Sequence, residues 1–220
     1  MTTRPSSGLP YPLFLAAALV AGVSFWPASH FALPAVPMLA WKGAGVAMLA
    51  GWAALCAHER NGWLLAAVLA FGATGDVLID SAGLVAGAGA FLIGHLIAIL
   101  LYVRNHDTRR RVVGAAIAVL VPLVAYAITR DLTATLYSLG LGGMAGAAWA
   151  SRFPRIVACG ALMFVASDLL IFWQFVPQAS SFLPRLLIWP LYFGGQALIA
   201  YGVVRTLEAR KRNEDLHHRL

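Results

Sequence analysis

The sequence predicts an all-α protein, a polytopic membrane helix bundle with eight transmembrane helices in a single domain. Of the 220 residues, 60% are hydrophobic and only 11% are charged, a balance that a water-exposed surface does not tolerate. A bilayer span needs about 20 mostly apolar residues, and windows of that length follow one another along the chain. The short polar breaks between them leave no room for a sizeable soluble domain.

The eight predicted helices end at clusters of charged residues, proline and glycine. The first follows a single arginine, and its length favours a retained helix over a signal peptide, whose apolar region is usually about 7 to 15 residues. Only residues 81–83 separate the third helix from the fourth, so these two form a tight antiparallel hairpin. The predicted spans are 12–31, 35–56, 62–80, 84–103, 112–129, 132–150, 156–176 and 183–205.

The distribution of basic residues predicts the orientation. An even number of spans places both termini on one side, and that side collects thirteen Lys or Arg residues against two on the other. This positive-inside bias predicts cytoplasmic termini, with residues 206–220 as a solvated cytoplasmic tail near anionic lipid. The thirteen are Arg4, Arg60, Arg104, Arg109, Arg110, Arg111, Arg152, Arg155, Arg205, Arg210, Lys211, Arg212 and Arg219, and the two are Arg130 and Arg185.

The same distribution explains the formal charge of +7 without a nucleic-acid partner. The basic residues lie at span ends and in the tail, whereas a nucleic-acid surface would need them on one extended face. The two cysteines, Cys56 and Cys159, have no metal-ligand spacing, and we expect no metal site.

A small set of polar residues falls inside the predicted spans. An ionisable group in the bilayer is unfavourable by several kcal/mol unless it faces the bundle interior, so each is a functional candidate. Two aspartates lie past the midpoint of the outward-running third and seventh helices, at matching depth, and we expect the whole set to line one shared cavity. The set comprises Lys42, Asp76, His95, Asp168 and Gln196, with Tyr192 and Ser167 beside them.

Each of these residues also has a purely structural interpretation. The aspartates can form an ion pair with Lys42 or hydrogen bonds in the core, because buried charges are usually paired whatever their purpose. A lone histidine such as His95 is often a hydrogen-bonded core residue, and Tyr192 and Gln196 can bridge helices. Asp80, near the outer end of the third helix, is expected as a solvated helix end rather than a second catalytic acid.

The two halves of the chain echo each other around the aspartates. Phe71-Gly-Ala-Thr-Gly-Asp76-Val-Leu-Ile79 is similar to Phe164-Val-Ala-Ser-Asp168-Leu-Leu-Ile171, with a slip of one residue before the aspartate. Gly94-His95-Leu-Ile-Ala98 likewise parallels Gly195-Gln196-Ala-Leu-Ile199. A parallel duplication of four spans would bring the two aspartates to matching depth from opposite sides of a pseudo-axis, although chance similarity competes in such an Ala/Gly/Leu-rich sequence.

Five motifs between about residues 40 and 200 carry a family resemblance. They are Lys42; Gly75-Asp76-Val-Leu; Phe91-Leu-Ile-Gly-His95; Gly160-Ala-Leu-Met-Phe164 with Ser167-Asp168; and Tyr192-Phe-Gly-Gly-Gln196-Ala-Leu-Ile199. In order and spacing they resemble the YhhN family of eight-span proteins, the lysoplasmalogenases. Gly43 stands where many relatives have proline, and Ala98 where a tyrosine often follows the histidine motif, so the shape of the substrate pocket is expected to differ.

The resemblance implies hydrolysis of the vinyl-ether bond of lysoplasmalogens to a fatty aldehyde and a glycerophosphoethanolamine or glycerophosphocholine. This chemistry needs an acid that protonates carbon and a base for water. A carboxyl group buried among apolar side chains favours its protonated form, while one beside Lys42 stays ionised, so two aspartates can divide the roles. Asp76 and Asp168 are therefore the expected acid/base pair, and the expected substrate-binding residues are Lys42, His95, Ser167, Tyr192 and Gln196.

The resemblance also implies a substrate, a location and a lack of cofactor. We expect a lysophospholipid that enters from the bilayer, contacts with membrane lipids and a place in the bacterial inner membrane. A proton-coupled transporter or lipid flippase is the alternative, because intramembrane Asp, Lys and His chains also serve as proton relays. A zinc-dependent lipid amidase would need several histidines within the bundle, and only His95 qualifies.

Overall fold

The computed structural model describes residues 11–177, 180 and 182–217, and eight α-helices follow one another through this part of the chain. A 3-10 turn, Thr108–Arg110, precedes the fifth helix. The helices are α1 (Tyr11–Ala28), α2 (Ala35–Cys56), α3 (Arg60–Ser81), α4 (Leu84–Val103), α5 (Arg111–Thr129), α6 (Leu132–Trp149), α7 (Arg155–Trp173) and α8 (Phe182–His217).

Every predicted helix is present, and each begins within two residues of its predicted start. Two end three residues early, α1 at Ala28 and α7 at Trp173. The chain turns after α7 because Pro177 disfavours helical geometry at the residue before it. Arg4 and Arg219, which contribute to the predicted charge bias, lie outside the described residues.

Six of the helices are long and apolar enough to cross a membrane: α2, α3, α4, α5 with its preceding turn, α7 and α8. The apolar part of α1, Pro12–Ala28, is shorter. In α6, Thr, Ser and Gly residues interrupt the apolar sequence. The all-helical membrane architecture is thus confirmed, while the number of spans stays between the six that meet both requirements and the eight predicted.

Helices consecutive in sequence pack together within the pairs α1/α2, α2/α3, α3/α4, α5/α6 and α7/α8. Contacts between α4 and α6, α6 and α7, and α8 and α3 then close a ring of five helices, α3-α4-α6-α7-α8. The helix α2 lies against α3 and α8, and α1 and α5 lie outside the ring. The interior of this ring is where the buried polar side chains meet.

Small residues bring the backbones of α7 and α8 close together. A Cβ atom at Gly160 would lie 2.6 Å from the carbonyl oxygen of Gly195 and 3.1 Å from the amide nitrogen of Ile199. A Cβ atom at Gly195 would likewise lie 2.6 Å from the carbonyl oxygen of Gly160. Real Cβ atoms essentially never approach backbone so closely, so this contact needs glycine at both 160 and 195. The same device joins α3 to α4, where a Cβ atom at Gly87 would lie 2.9 Å from the amide nitrogen of Ile79.

At the end of the bundle where α4 stops, two loops and α8 are tied together by hydrogen bonds. The amide of Asp107 donates to the carbonyl of Ala150 at 2.6 Å, and the amide of Arg152 donates to the carbonyl of Asn105 at 2.7 Å. Arg210 on α8 donates from Nη1 to Asn105 Oδ1 at 2.8 Å. The C-terminal part of α8 is therefore fastened to the α4–α5 loop.

The predicted tail is largely a continuation of α8. The helix does not stop at residue 205 but continues to His217, and residues 211–217 are exposed. Residues 218–220 lie outside the described residues. Residues 206–217 contain neither proline nor glycine and include the good helix formers Leu, Glu, Ala, Arg and Lys, so nothing in the sequence interrupts the helix there.

Candidate functional site

Each helix of the ring contributes at least one polar side chain to its interior. Asp76 and Asp168 are only 3% and 7% exposed, and His95 and Gln196 are equally buried. Asp76 lies five residues before the last residue of α3, and Asp168 lies five residues before the last residue of α7. The polar set is Asp76 on α3, His95 on α4, Tyr137 on α6, Asp168 on α7, and Tyr192 and Gln196 on α8.

Asp76 is held by α8. Tyr192 donates a hydrogen bond from Oη to Asp76 Oδ2 at 2.8 Å, and both side chains are buried. Gly72, one turn earlier on α3, makes room for this contact, because a Cβ atom there would lie 2.8 Å from Gln196 Nε2 and 3.3 Å from Tyr192 Oη. Glycine at this position therefore lets α3 accommodate two polar groups of α8.

Asp168 is held by a different helix and a longer chain of groups. Tyr137 donates from Oη to Asp168 Oδ2 at 2.7 Å, and His95 Nε2 lies 3.2 Å from the same Tyr137 oxygen. A phenol has one proton to donate, so with that proton directed at Asp168 the Tyr137 oxygen accepts from the Nε2–H of His95. The result is a directed path from α4 through α6 to the carboxylate on α7.

Aromatic rings separate the two aspartate–tyrosine pairs. Phe164 meets Tyr192 and His95 with ring centroids 5.1 Å apart in each case, and it meets Phe91 at 5.9 Å. All three contacts are edge-to-face, the favourable geometry for aromatic rings. This apolar partition keeps the two carboxylates in separate surroundings although both belong to one buried cluster.

A small cavity lies next to the aromatic partition. Its volume is about 10 Å³, enough for roughly one water molecule. Among its lining residues are His95, Tyr102, Gln196 and Gly72. Of the seven polar residues expected to line one shared cavity, His95 and Gln196 line this one, whereas Asp76 and Asp168 do not.

Two of the predicted site residues, Lys42 and Ser167, have their partners outside the polar set. Lys42 Nζ forms an ion pair with Asp80 Oδ2 at 2.8 Å, so the ion pair expected between Lys42 and a candidate aspartate of the cluster is made with Asp80 instead. Asp80 lies one turn nearer the end of α3 than Asp76, where its carboxylate is partly exposed and accessible to the lysine. Ser167 donates to the carbonyl of Ile188 at 3.0 Å, which joins α7 to α8.

Sequence reasoning missed Tyr137 and Tyr102. Both lie near helix ends, where tyrosine is ordinary in membrane proteins because its ring suits the lipid–water interface. For Tyr137 the sequence offered weak evidence of a contact: its position near the start of α6 places it at the same end of the bundle as Asp168 on α7. Within the described ranges, no group of three or more His, Cys, Asp or Glu residues has a geometry that could hold a metal ion.

The comparison with protein families decides the relationship. A sequence model of the YhhN family matches residues 37–203, which is most of the chain. The chain belongs to the YhhN family. No curated protein and no solved structure matches it.

The YhhN match covers the whole polar cluster. It includes the Lys42–Asp80 pair, both aspartates of the ring and the tyrosines that hold them. It leaves out α1 and the part of α8 beyond residue 203. The YhhN region therefore contains the five-helix ring, with α8 up to residue 203, together with α2 and α5.

Proposed function

We propose that this YhhN protein is an intramembrane hydrolase that cleaves the vinyl-ether bond of lysoplasmalogens, with Asp76 and Asp168 as its acid/base pair. The observation that carries the proposal is the presence of two buried carboxylates, each held by one tyrosine from a different helix. Unlike surroundings are what allow two carboxylates to take opposite roles in one reaction. Membership of the YhhN family is consistent with this activity.

The reaction proceeds in three balanced steps. The acid transfers a proton to the β-carbon of the vinyl ether, which leaves an oxocarbenium ion at the carbon bonded to oxygen. Water attacks that carbon while the base accepts a proton from the water, giving a hemiacetal. In the last step the first carboxylate takes the hydroxyl proton of the hemiacetal, the protonated base gives its proton to the glycerol oxygen, and the carbon–oxygen bond to the glycerol breaks. An aldehyde and the free glycerol hydroxyl remain, and both aspartates return to their starting protonation states.

The hydrogen bonds support a division of roles. Asp168 connects through Tyr137 to His95, which gives it a route to receive a proton from the cavity. Asp76 has Tyr192 as its partner, and the ring of Tyr192 packs against Phe91 and Phe164. We therefore assign Asp168 as the base for water and Asp76 as the acid. Gln196 is assigned to orient water or the glycerol hydroxyl.

The depth of the aspartates suits this substrate. Five residues of helix correspond to about 7.5 Å along the axis, so both carboxylates lie a short distance below one end of the bundle. The vinyl-ether bond is the first linkage below the glycerol, at comparable depth under a headgroup. Lys42 and Asp80, at the same end, match the phosphate and the ammonium of a zwitterionic headgroup.

The distribution of basic residues supports a location and an orientation for the protein. We propose that the protein spans the bacterial inner membrane with both termini in the cytoplasm, so that the aspartates lie toward the outer side. The charges of Arg104, Arg152 and Arg155 at the opposite end support this orientation.

Product analysis in heavy water tests the proposal. The purified protein, reconstituted in vesicles, is incubated in D₂O with vinyl-ether, alkyl-ether and ester lysophospholipids. We expect aldehyde release from the vinyl ether alone, with one deuterium on the carbon next to the carbonyl, since that carbon receives the proton from the acid. Lipid movement across the vesicle membrane without any aldehyde would instead favour a transporter.

A further inference from the structure

The cavity inside the ring contains two polar atoms with unmet hydrogen-bonding capacity. Within the described part of the chain, Tyr102 Oη and Gln196 Oε1 are the buried side-chain polar atoms without a hydrogen-bond partner. Tyr102 is 1% exposed and Gln196 is 2% exposed, so neither group reaches an aqueous surface. A buried polar atom without a hydrogen-bond partner destabilises the folded protein by about 1–3 kcal/mol.

Both atoms belong to residues that line the same cavity, together with His95. The volume of about 10 Å³ matches roughly one water molecule, which needs two to four polar partners to be held. Buried polar groups that face a space of this size are usually satisfied by ordered water. The volume of the cavity and its polar lining therefore both favour a single water molecule.

We propose that the cavity binds one ordered water molecule between Tyr102 and Gln196, and that this water supplies the hydrolysis. Tyr102 donates its O–H to the water, and the water donates one of its hydrogens to Gln196 Oε1. The second part of the inference rests on the proposed function, because only a hydrolase consumes water at this site. The binding of water itself does not depend on it.

The position of the cavity connects this water to both aspartates. His95, in its wall, leads through Tyr137 to Asp168 over contacts of 3.2 and 2.7 Å. Gln196 also lines the cavity, and its Nε2 lies beside Gly72 together with Tyr192 Oη, the donor to Asp76. A water held here is separated from each carboxylate only by side chains that hydrogen-bond, and it is replaced after each turnover.

An experimental structure at a resolution that shows waters provides the direct test. We expect density for a water within hydrogen-bond distance of Tyr102 Oη and Gln196 Oε1. A direct bond between these two side chains, or a cavity without density, would overturn the proposal.

A double-mutant cycle provides the test in solution, with Tyr102→Phe, Gln196→Met and the double variant in the full chain. We expect Tyr102→Phe to lower the unfolding midpoint by about 2–4 °C and to have little further effect once Gln196→Met has removed the second water ligand. A dry cavity predicts the opposite, since removal of an unsatisfied hydroxyl leaves stability unchanged or raises it. Tyr201→Phe, at an exposed position of α8, is the matched control and should change nothing.

Activity separates the two parts of the inference. If the wild type releases aldehyde, Tyr102→Phe should lower kcat about tenfold or more with little change in KM. Coupling in the stability cycle together with an unchanged kcat would overturn the role of the water in hydrolysis. A wild type that releases no aldehyde contradicts the proposed function, while the stability cycle still decides whether water is bound.

Discussion

Tyr137 on α6 donates a hydrogen bond of 2.7 Å to Asp168 on α7, and the same oxygen lies 3.2 Å from His95 on α4. One phenol thus connects three helices of the ring. Asp76 has a simpler arrangement, with Tyr192 on α8 as its partner. The difference between the two carboxylates is the basis for the first two predictions.

Replacement of either ring aspartate should abolish most of the activity. We expect Asp76→Asn and Asp168→Asn each to lower kcat by about 10²–10⁴-fold, the usual contribution of a general acid or base. Aldehyde release by reconstituted protein measures the effect, and Asp215→Asn, in the exposed end of α8, is the control. Full activity in either folded variant would remove that residue from the mechanism.

Tyr137→Phe should lower kcat with little effect on KM. The substitution keeps the ring but removes the donor to Asp168 and the contact with His95, so the base loses its orientation. Hydrogen bonds to charged groups contribute about 1.5–3 kcal/mol, which corresponds to about tenfold or more in rate. Steady-state kinetics beside Tyr126→Phe, an exposed tyrosine, measure the effect; a change in KM alone would argue for a substrate contact instead.

Lys42 and Asp80 should affect substrate binding more than chemistry. Their ion pair lies one turn from Asp76 and is partly exposed, so Lys42→Met and Asp80→Asn should raise KM and change kcat by no more than a factor of a few. Stability should fall by about 1 kcal/mol or less in each case, as for an exposed pair. A loss of kcat as severe as that of Asp76→Asn would place Lys42 in the chemistry itself.

Gly160→Ala should destabilise the contact between α7 and α8. The added Cβ would lie 2.6 Å from the carbonyl oxygen of Gly195, and backbone at such a contact cannot move aside without separating the helices. We expect a loss of about 1–3 kcal/mol in unfolding free energy. Gly89→Ala, where a Cβ meets nothing within 4 Å, is the control and should be neutral or stabilising.

Cysteine labelling should establish the number of spans. In a variant without Cys56 and Cys159, single cysteines at positions 31, 82 and 132 should react with a membrane-impermeant maleimide added to intact cells from the outer side. A cysteine at position 214 should react only after the membrane is opened. Cysteines at positions 8 and 152 should likewise be protected in intact cells. Equal labelling of positions 8 and 31 would show that α1 does not cross the membrane, equal labelling of positions 132 and 152 would show the same of α6, and both results together would reduce the count to the six helices that meet both requirements.

The starts of the helices were predictable because they depend on local residue types. Charged residues, proline and glycine end every apolar stretch, and so all eight helices began within two residues of their expected starts. The continuation of α8 to His217 was not predictable, because a charged helix that leaves the membrane and a solvated tail without helical structure have the same composition.

The polar cluster was predictable in part. Because an ionisable group inside the bilayer is energetically unfavourable, Asp76, Asp168 and His95 were identified as candidates. The structure brings these residues into one buried cluster. Their partners were not predictable, because a hydrogen bond between distant helices leaves no trace in one sequence. Tyr137 resembled an interfacial tyrosine. Lys42 could have paired with either Asp76 or Asp80, which lie one turn apart on α3, and the sequence does not distinguish them. The parallel duplication stays a prediction.

The length of α8 has a mechanical consequence. This helix carries Tyr192 and Gln196 in the ring, and farther along it Arg210 is bonded to Asn105 in the α4–α5 loop. Because a helix is stiff along its axis, movement of the C-terminal part of α8 is transmitted toward Tyr192 and Gln196, and the Arg210–Asn105 hydrogen bond restrains that movement. Loss of that bond would therefore displace Tyr192, and with it the carboxylate of Asp76 to which it donates, without any substitution in the site itself.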